Sequence, residues 1–343
     1  PYHGGMVFHC DRDFANVEVL GHNFRNNYEA TVDSFGRVWQ SDNDDDGNLA
    51  VRLNYILEGG NYGYRDELTG ERWQQPRIGA HRHRGKRHWH QNDPGSVPNV
   101  LEMGNGAPTG ITIYEGRLLP KVFQDQVIHC DAGPHAVWGL PVTKRGAGFT
   151  ARMADVLRSS DNNFRPVDVA VAPDGSLFVS DWYDPGVGGH NQRDLDRGRL
   201  FRIAPPGHRY RVPKIDVSTP AGALSALKNP AFSVRYLAFS ALESMGARAV
   251  AALKAAAGDR QANPRHRARA LWVLGLFFAI GLENTLIKVA REVGMDGFER
   301  CYLTALFSVA AVGTALVVLW TRVKDVRKPK GMAPGAVLLR SEK

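Results

Sequence analysis

Val32-Asp33-Ser34-Phe35-Gly36-Arg37-Val38-Trp39-Gln40-Ser41-Asp42 and, much later in the chain, Val171-Ala172-Pro173-Asp174-Gly175-Ser176-Leu177-Phe178-Val179-Ser180-Asp181 are two versions of one unit. Each reads as a strand end, a tight turn containing glycine, a second strand and then an aspartate. The likeness extends upstream, where Asn23-Phe24-Arg25 precedes the first copy and Asn163-Phe164-Arg165 the second. A second echo sets Val7-Phe8-His9-Cys10-Asp11 against Val127-Ile128-His129-Cys130-Asp131. Recurrence of one hairpin in a glycine-rich β sequence is the signature of propeller blades, none of which buries both faces without a neighbour.

Working outward, short apolar-alternating runs broken by Gly, Asp and Pro continue to about residue 212. They predict strands at Met6–His9, Val17–Leu20, Glu29–Val32, Val38–Ser41, Gly110–Tyr114, Gln126–Cys130, Ala136–Pro141, Asp168–Val171, Leu177–Ser180 and Arg199–Ile203. Residues 1–212 are therefore expected to form part of a β-propeller, an incomplete ring of three or four blades. Pro1 rather than Met opens the sequence and no signal peptide precedes the first strand-like run, so a fragment or a processed chain is expected.

After Pro213 the apolar period becomes helical. Thr219-Pro220, Asn229-Pro230 and Asn263-Pro264 are three starts of the cap-then-proline kind, because Pro at the first helical position loses no bond and has its φ preset. Leu237, Ala238, Ala241, Leu242 and Met245 recur at helical spacing as one buried stripe. The spacing of the second and third starts suggests HEAT-like helix pairs over 213–275. Residues 276–302 read as a helical connector. Leu303 to Trp320 carries no charge and is flanked by Tyr302 and Trp320, which predicts a transmembrane helix, with a buried helix of a repeat array as the alternative. The basic tail 321–343 would stay cytoplasmic, which puts the propeller on the periplasmic side.

With 43% hydrophobic and 23% charged residues, the 343-residue chain is rich enough in core formers to exclude disorder. Its formal charge of +8 gathers in Arg77–Arg87 and in the tail, outside any nucleic-acid-binding pattern, so no nucleic-acid partner is expected. Cys10, Cys130 and Cys301 make no CxxC pair. Cys10 and Cys130 are either a disulfide or two strand thiols.

Several stretches could carry chemistry. Asp42-Asn43-Asp44-Asp45-Asp46-Gly47 has the first half of an EF-hand spacing but Leu53 where the bidentate Glu belongs, leaving a calcium loop built on Asp42, Asp44 and Asp46, or a solvated acidic turn. His81, His83, His88 and His90 alternate in a basic stretch, either as ligands for zinc or copper or as a hydrated loop. His90 with Asp93 has the make-up of a general base and its orienter. Asp181, Trp182, Tyr183 and, beyond a glycine-rich loop, His190 follow a blade strand, as substrate-binding residues or as plain loop chemistry. Gly186-Val187-Gly188-Gly189 lacks the βαβ setting of a phosphate loop.

Taken in order, Gly21-His22-Asn23-Phe24-Arg25-Asn26, Asp42–Asn48, Gly60-Asn61-Tyr62-Gly63-Tyr64-Arg65-Asp66-Glu67, His88-Trp89-His90-Gln91-Asn92-Asp93-Pro94-Gly95, Asp131-Ala132-Gly133-Pro134 and Ser180–His190 resemble the PVC-type membrane-bound dehydrogenases over residues 1–275. That resemblance implies a six-bladed propeller joined to HEAT-like repeats and often to a c-type cytochrome, although no CxxCH for covalent haem occurs in this chain. More distantly, Arg25-Asn26 followed by Gly60-Asn61-Tyr62-Gly63 is similar to the soluble glucose and sorbosone dehydrogenases, which hold pyrroloquinoline quinone and calcium. The likeness implies that Arg25 and Asn26 meet the cofactor, that carbonyls near Asp42 to Asp44 face calcium, and that the catalytic His belongs to an earlier blade. It implies oxidation of a sugar-like alcohol, with a cytochrome as electron acceptor. The contrasting expectation is a non-catalytic module that binds a polysaccharide or a partner protein.

Overall fold

The structure is a computed structural model, and the described residues are 2–277 apart from 3, 13, 44–49, 73, 76–79, 81, 83–86, 92 and 188–195. Residues 1–273 form one compact unit. Of the second unit, 274–343, only 274–277 are described.

Most of the first unit is antiparallel sheet. Strands β1 (Gly5–His9), β2 (Glu18–Phe24), β3 (Asn27–Val32), β4 (Val38–Asp42), β5 (Val51–Ile56), β6 (Gly60–Asn61), β7 (Leu101–Gly104) and β8 (Pro108–Tyr114) come first. They are followed by β9 (Gln126–Asp131), β10 (Ala136–Leu140), β11 (Val142–Arg145), β12 (Gly148–Ala151), β13 (Ala154–Arg158), β14 (Pro166–Val171), β15 (Leu177–Asp181) and β16 (Arg199–Ile203). Three meanders dominate, in the orders β3-β4-β5-β7, β8-β9-β10-β13 and β14-β15-β16. A smaller sheet, β1-β2-β6, closes with the parallel pair β2–β6, and β11–β12 is a hairpin.

The first strands of the three meanders lie together, with β8 packed against both β3 and β14. The meanders therefore stack face to face, and because successive side chains point to opposite faces, the middle sheet sends apolar residues into the spaces on both of its sides. Trp39, Val51, Leu53, Met103, Ile111, Ile113 and Trp138 fill one space between sheets. Tyr114, Ile128, Val137, Val169, Leu177 and Val179 fill the next. The predicted hairpins occur where the repeat placed them, Val32 pairing with Val38 and Val171 with Leu177. Gly36 and Gly175 sit at φ +80° and +88°, the left-handed region in which a side chain is strained. Strands β5, β6, β7, β11, β12 and β13 were not expected. In β5 the apolar Val51, Leu53 and Tyr55 alternate with Arg52 and Asn54, and these polar residues, rather than facing solvent, are buried with partners of their own.

Four helices follow, α1 (Pro220–Leu227), α2 (Phe232–Met245), α3 (Ala247–Gly258) and α4, which spans 264–277 of the described residues. Thr219 caps α1 by accepting the Gly222 N–H at 3.1 Å, and Asn263 accepts that of Arg265 at 2.9 Å before α4. The middle start is displaced. Asn229 accepts from Ala231 at 2.8 Å and donates to the Pro173 carbonyl at 3.1 Å, so α2 begins only at Phe232.

Helices and sheets are joined by a buried charge cluster at the turn end of the sheets. Glu115, fully buried after β8, accepts from Ser34, from Arg265 at 2.5 Å, from Arg269 at 2.7 Å and from Arg235. Burial pushes this carboxyl up, and the three guanidiniums with Ser34 outweigh it, holding the pKa at about 2.

No helix of the described residues is long and apolar enough to cross a membrane. The expected span 303–320 and the tail 321–343 lie outside the described residues, as does the connector beyond residue 277. Cys10 and Cys130 are both free, so the disulfide alternative is corrected to two thiols. Cys130 is buried, and burial with the nearby carboxylates of Asp168, Glu29 and Asp131 raises its pKa well above the ordinary thiol value.

Candidate functional site

One aspartate has the same job in each of the three meanders, at Asp42 and Asp181, which close the hairpin repeat, and at Asp131, which ends the shorter echo. Asp42, Asp131 and Asp181 end the second strands β4, β9 and β15. Each carboxylate accepts the backbone N–H of the turn that leads into its own sheet's first strand. Asp42 takes Arg25 at 3.1 Å and Asn26 at 2.8 Å, Asp131 takes Ala107 at 2.6 Å, and Asp181 takes Arg165 at 2.7 Å. These clamps put the three incoming turns and the three β-to-β loops on the same end of the sheets, opposite the Glu115 cluster. A strand-end face of loops held by a rigid scaffold is where binding residues are expected.

The residue across the ladder then differs. Asp42 pairs in register with Arg52, which is fully buried and 2.8 Å away, stacked 3.7 Å from the Trp89 ring centre. Asp181 pairs with Arg199 at 2.6 Å. Asp131 faces Ala136. Burial without a cation raises the Asp131 pKa to about 7, against the pull of the Ala107 and Gly133 amides.

Arg25 and Arg165 occupy the same place in the repeat, and they are used differently. Arg165 donates to the carbonyls of Asp184 at 2.9 Å, Ala132 at 2.9 Å and Pro185 at 3.1 Å, tying two loops together. The Arg25 guanidinium is half-buried and has no side-chain partner among the described residues. Asn26 is exposed, with both its N–H and its C=O already engaged through Asp42 and Asn43. The clamp thus fixes the backbone of the Arg25-Asn26 turn and leaves both side chains available as donors.

Of the residues proposed for calcium, Asp42 is spent. Its two oxygens accept from Arg25, Asn26 and both Nε and Nη2 of Arg52, so a metal would have to displace a buried ion pair. Asp44 and Asp46 lie outside the described residues.

His90 and Asp93 are brought together, Nδ1 to Oδ2 at 3.0 Å, and Asp66 joins them, with one ligand atom of each residue inside a 4.8 Å circle. The imidazole is buried at 0% exposure, and the His90 backbone sits at φ +48°. His88 is buried beside Trp89, while His81 and His83 lie outside the described residues. Asp66 carried no role in the sequence expectations although it stands in the Gly60–Glu67 motif. Its segment is tied to the one that follows His90 by the bridge between Asn61 and Ser96, a long-range contact that no local pattern announces.

In the last sheet Asp181 is occupied by Arg199 and by the amides of Arg165 and Tyr183. Trp182 is half exposed, and the Tyr183 ring lies 4.4 Å from the Arg199 guanidinium. His190 is outside the described residues. Asp181 therefore positions this loop, and Trp182 and Tyr183 are its outward aromatics.

A family model described as a domain of unknown function, DUF7133, matches residues 3–206. No curated protein matches the chain. Among solved structures, the chain is similar to the PQQ-bound aldose sugar dehydrogenase of Streptomyces coelicolor, at 19% identity and a TM-score of 0.40 over 59% of this chain and 52% of that one. It is similar to the soluble aldose sugar dehydrogenase of Escherichia coli in its apo form, at 17% identity and 0.38 over 55% and 47%. The PQQ domain of pyranose dehydrogenase from Coprinopsis cinerea matches at 15% identity and 0.35 over 55% and 56%. The chain spans about half the length of these structures.

Proposed function

We propose that this chain, which belongs to the DUF7133 family, is part of a propeller dehydrogenase that oxidises a sugar-like alcohol with a quinone cofactor. The observation that carries the reading is the Arg25-Asn26 turn. Asp42 holds both backbone amides, and the guanidinium, unlike that of Arg165, is left without a side-chain partner among the described residues. The order of motifs from Gly21 to His190 supports the same class.

The donors present fit a quinone of the pyrroloquinoline kind. Arg25 offers a planar fork to paired carboxylate or carbonyl oxygens, and Asn26 adds an amide. When bound, such a quinone supplies a two-electron acceptor for the hydride of the alcohol carbon. In this reading Trp182 and Tyr183 flank the sugar, the aromatic faces packing against its C–H surface. Proton transfer is not routed through His90, because a base must reach the substrate hydroxyl and this imidazole is buried. Calcium at Asp42 is likewise not part of the reading, since that carboxylate is held by Arg52. Helices α1–α4 would begin a HEAT-like array. A span at 303–320 would anchor the protein with its sheets in the periplasm, and a cytochrome would take the electrons.

The test is a quinone titration of the purified chain, followed by absorbance. Arg25→Ala is expected to weaken binding about 10–100-fold, the worth of a charged hydrogen bond of roughly 1.5–3 kcal/mol. Unchanged affinity in that variant, or no binding by the parent chain, sinks the reading. A second reading, a carbohydrate-binding module without catalysis, is favoured by the half-exposed Trp182. It would be supported by sugar binding that depends on Trp182 and persists when quinone binding is absent.

A further inference from the structure

We propose that Asp66, His90 and Asp93 form a binding site for a divalent transition-metal ion, with zinc or manganese as the occupant. One ligand atom from each residue lies within 4.8 Å of the others. Donors about 2.0–2.2 Å from a tetrahedral ion stand roughly 3.3 Å from one another, so the 3.0 Å between His90 Nδ1 and Asp93 Oδ2 needs little adjustment. Two carboxylates with one imidazole suit a borderline or moderately hard first-row ion better than calcium, which prefers six to eight oxygens. Three protein ligands leave positions for water or for an oxygen of a bound molecule.

The three residues come from two segments, and each segment has its own anchor. Asn23 grips Arg65, the neighbour of Asp66, donating to its carbonyl at 2.7 Å and accepting from its N–H at 2.9 Å. Asp66 itself is held by the amides of Leu68 and Thr69 and by the Thr69 hydroxyl, all bonded to Oδ1. His90 follows Trp89, whose indole N–H donates to the Ala50 carbonyl at 2.6 Å and whose ring covers the buried Arg52. Gly63, at φ +67°, closes the space beside them, since a Cβ there would stand 2.4 Å from the Trp89 carbonyl oxygen and 3.4 Å from the His90 Cβ. Supporting contacts of this kind hold first-sphere ligands in place before the ion arrives.

An ordinary ion pair explains His90 with Asp93, but not the approach of a second carboxylate from Asp66. Two anions converging on one buried imidazole repel each other, and a cation of charge two removes that repulsion. The site shares no residue with the Arg25-Asn26 turn, and its occupancy is read without quinone or sugar.

The experiment is metal analysis and zinc and manganese titration of the whole chain, carrying no added histidines, against a competing chelator. One equivalent per chain is expected, with a rise in unfolding temperature on loading. Asp66→Asn, at a half-buried position that leaves the core intact, is expected to weaken binding at least about tenfold and to abolish the thermal rise, because even outer partners of a metal ligand cost roughly 10–100-fold. His90→Gln should do the same, with circular dichroism confirming the fold of both variants. No stoichiometric binding, binding indifferent to Asp66→Asn, or calcium displacing zinc at this site would overturn the proposal.

Discussion

The sheets ending at Asp42 and Asp131 repeat one clamp with opposite electrostatics. Both aspartates are buried, and both fix the turn before an inner strand through backbone amides. Across the ladder Asp42 meets Arg52, whose outward neighbour is Glu102. Asp131 meets Ala136, and the arginine of that row, Arg158, stands one strand further out. The clamp therefore needs only the carboxylate oxygens, whereas the cation decides whether that carboxylate is charged at neutral pH. Repetition preserved the backbone geometry and left the charge free to vary.

The strongest way to break the contrast is Arg52→Ala. Removing one partner leaves Asp42 as an uncompensated buried charge and empties the space between Phe24 and Trp89. A loss of roughly 3–5 kcal/mol is expected, measured by urea unfolding at pH 7. The Ala50–Tyr64–Trp89 cluster should loosen with it, visible as a change in tryptophan emission. A loss under about 1 kcal/mol would mean that the buried pair is worth no more than an exposed one and that the two sheets do not differ in this respect.

Much of this was legible in the sequence, and the remainder was hidden for a definite reason. The hairpin unit and its closing aspartate recur at Asp42 and Asp181, so the β class follows from pattern, whereas the clamp does not, the sequence having pointed Asp42 to calcium and Asp181 to substrate. The partners do not, because loops of different length separate each aspartate from the strand opposite. Arg52 lies ten residues after Asp42, Arg199 eighteen after Asp181 and Ala136 five after Asp131, as the cross-strand registers show. Register bulges, such as those between Asn27 and Ala30 or Pro108 and Ile111, add further offsets. His90 and Asp93 were within reach of sequence reasoning because they are neighbours in a turn. Asp66 was not, since long-range contacts, the Asn61–Ser96 bridge and the grip of Asn23 on Arg65, bring its segment there.

The second test reads the charge state of Asp131 through pH. Its folded pKa of about 7 exceeds the ordinary value of 3.8. Below about pH 4 both states hold the proton, and between about 4 and 7 only the folded state does. Stability contributed by this group therefore falls as pH rises through that window, and the loss is complete above it. Each pH unit of the window costs about 1.4 kcal/mol, so the whole fall is on the order of 2–4 kcal/mol. His129, buried on the same face of β9 and lowered to about 3 by burial, works in the other direction, its stability contribution rising with pH up to about 6.5. The parent profile mixes the two, so the measurement is the difference between parent and Asp131→Asn. That difference should grow in favour of the variant from about pH 4 to 7 and then level off. A flat difference would show that Asp131 is ionised throughout.

The smallest effect belongs to Arg199→Ala, and it separates the presence of a cation from its burial. Arg199 bonds Asp181 at 2.6 Å and Asp161 at 2.9 Å and leans on the Tyr183 ring, yet a third of its side chain is exposed, against none for Arg52. Water can therefore reach the space it vacates and solvate Asp181, which still keeps the Arg165 and Tyr183 amides. A cost near the surface-pair range, about 1 kcal/mol, is expected, lowering the unfolding temperature by roughly 2–4 °C. If Arg199→Ala instead costs as much as Arg52→Ala, exposure does not grade these pairs. The strand-end loop carrying Trp182 would then depend on its arginine as strictly as the Arg25-Asn26 turn depends on Asp42.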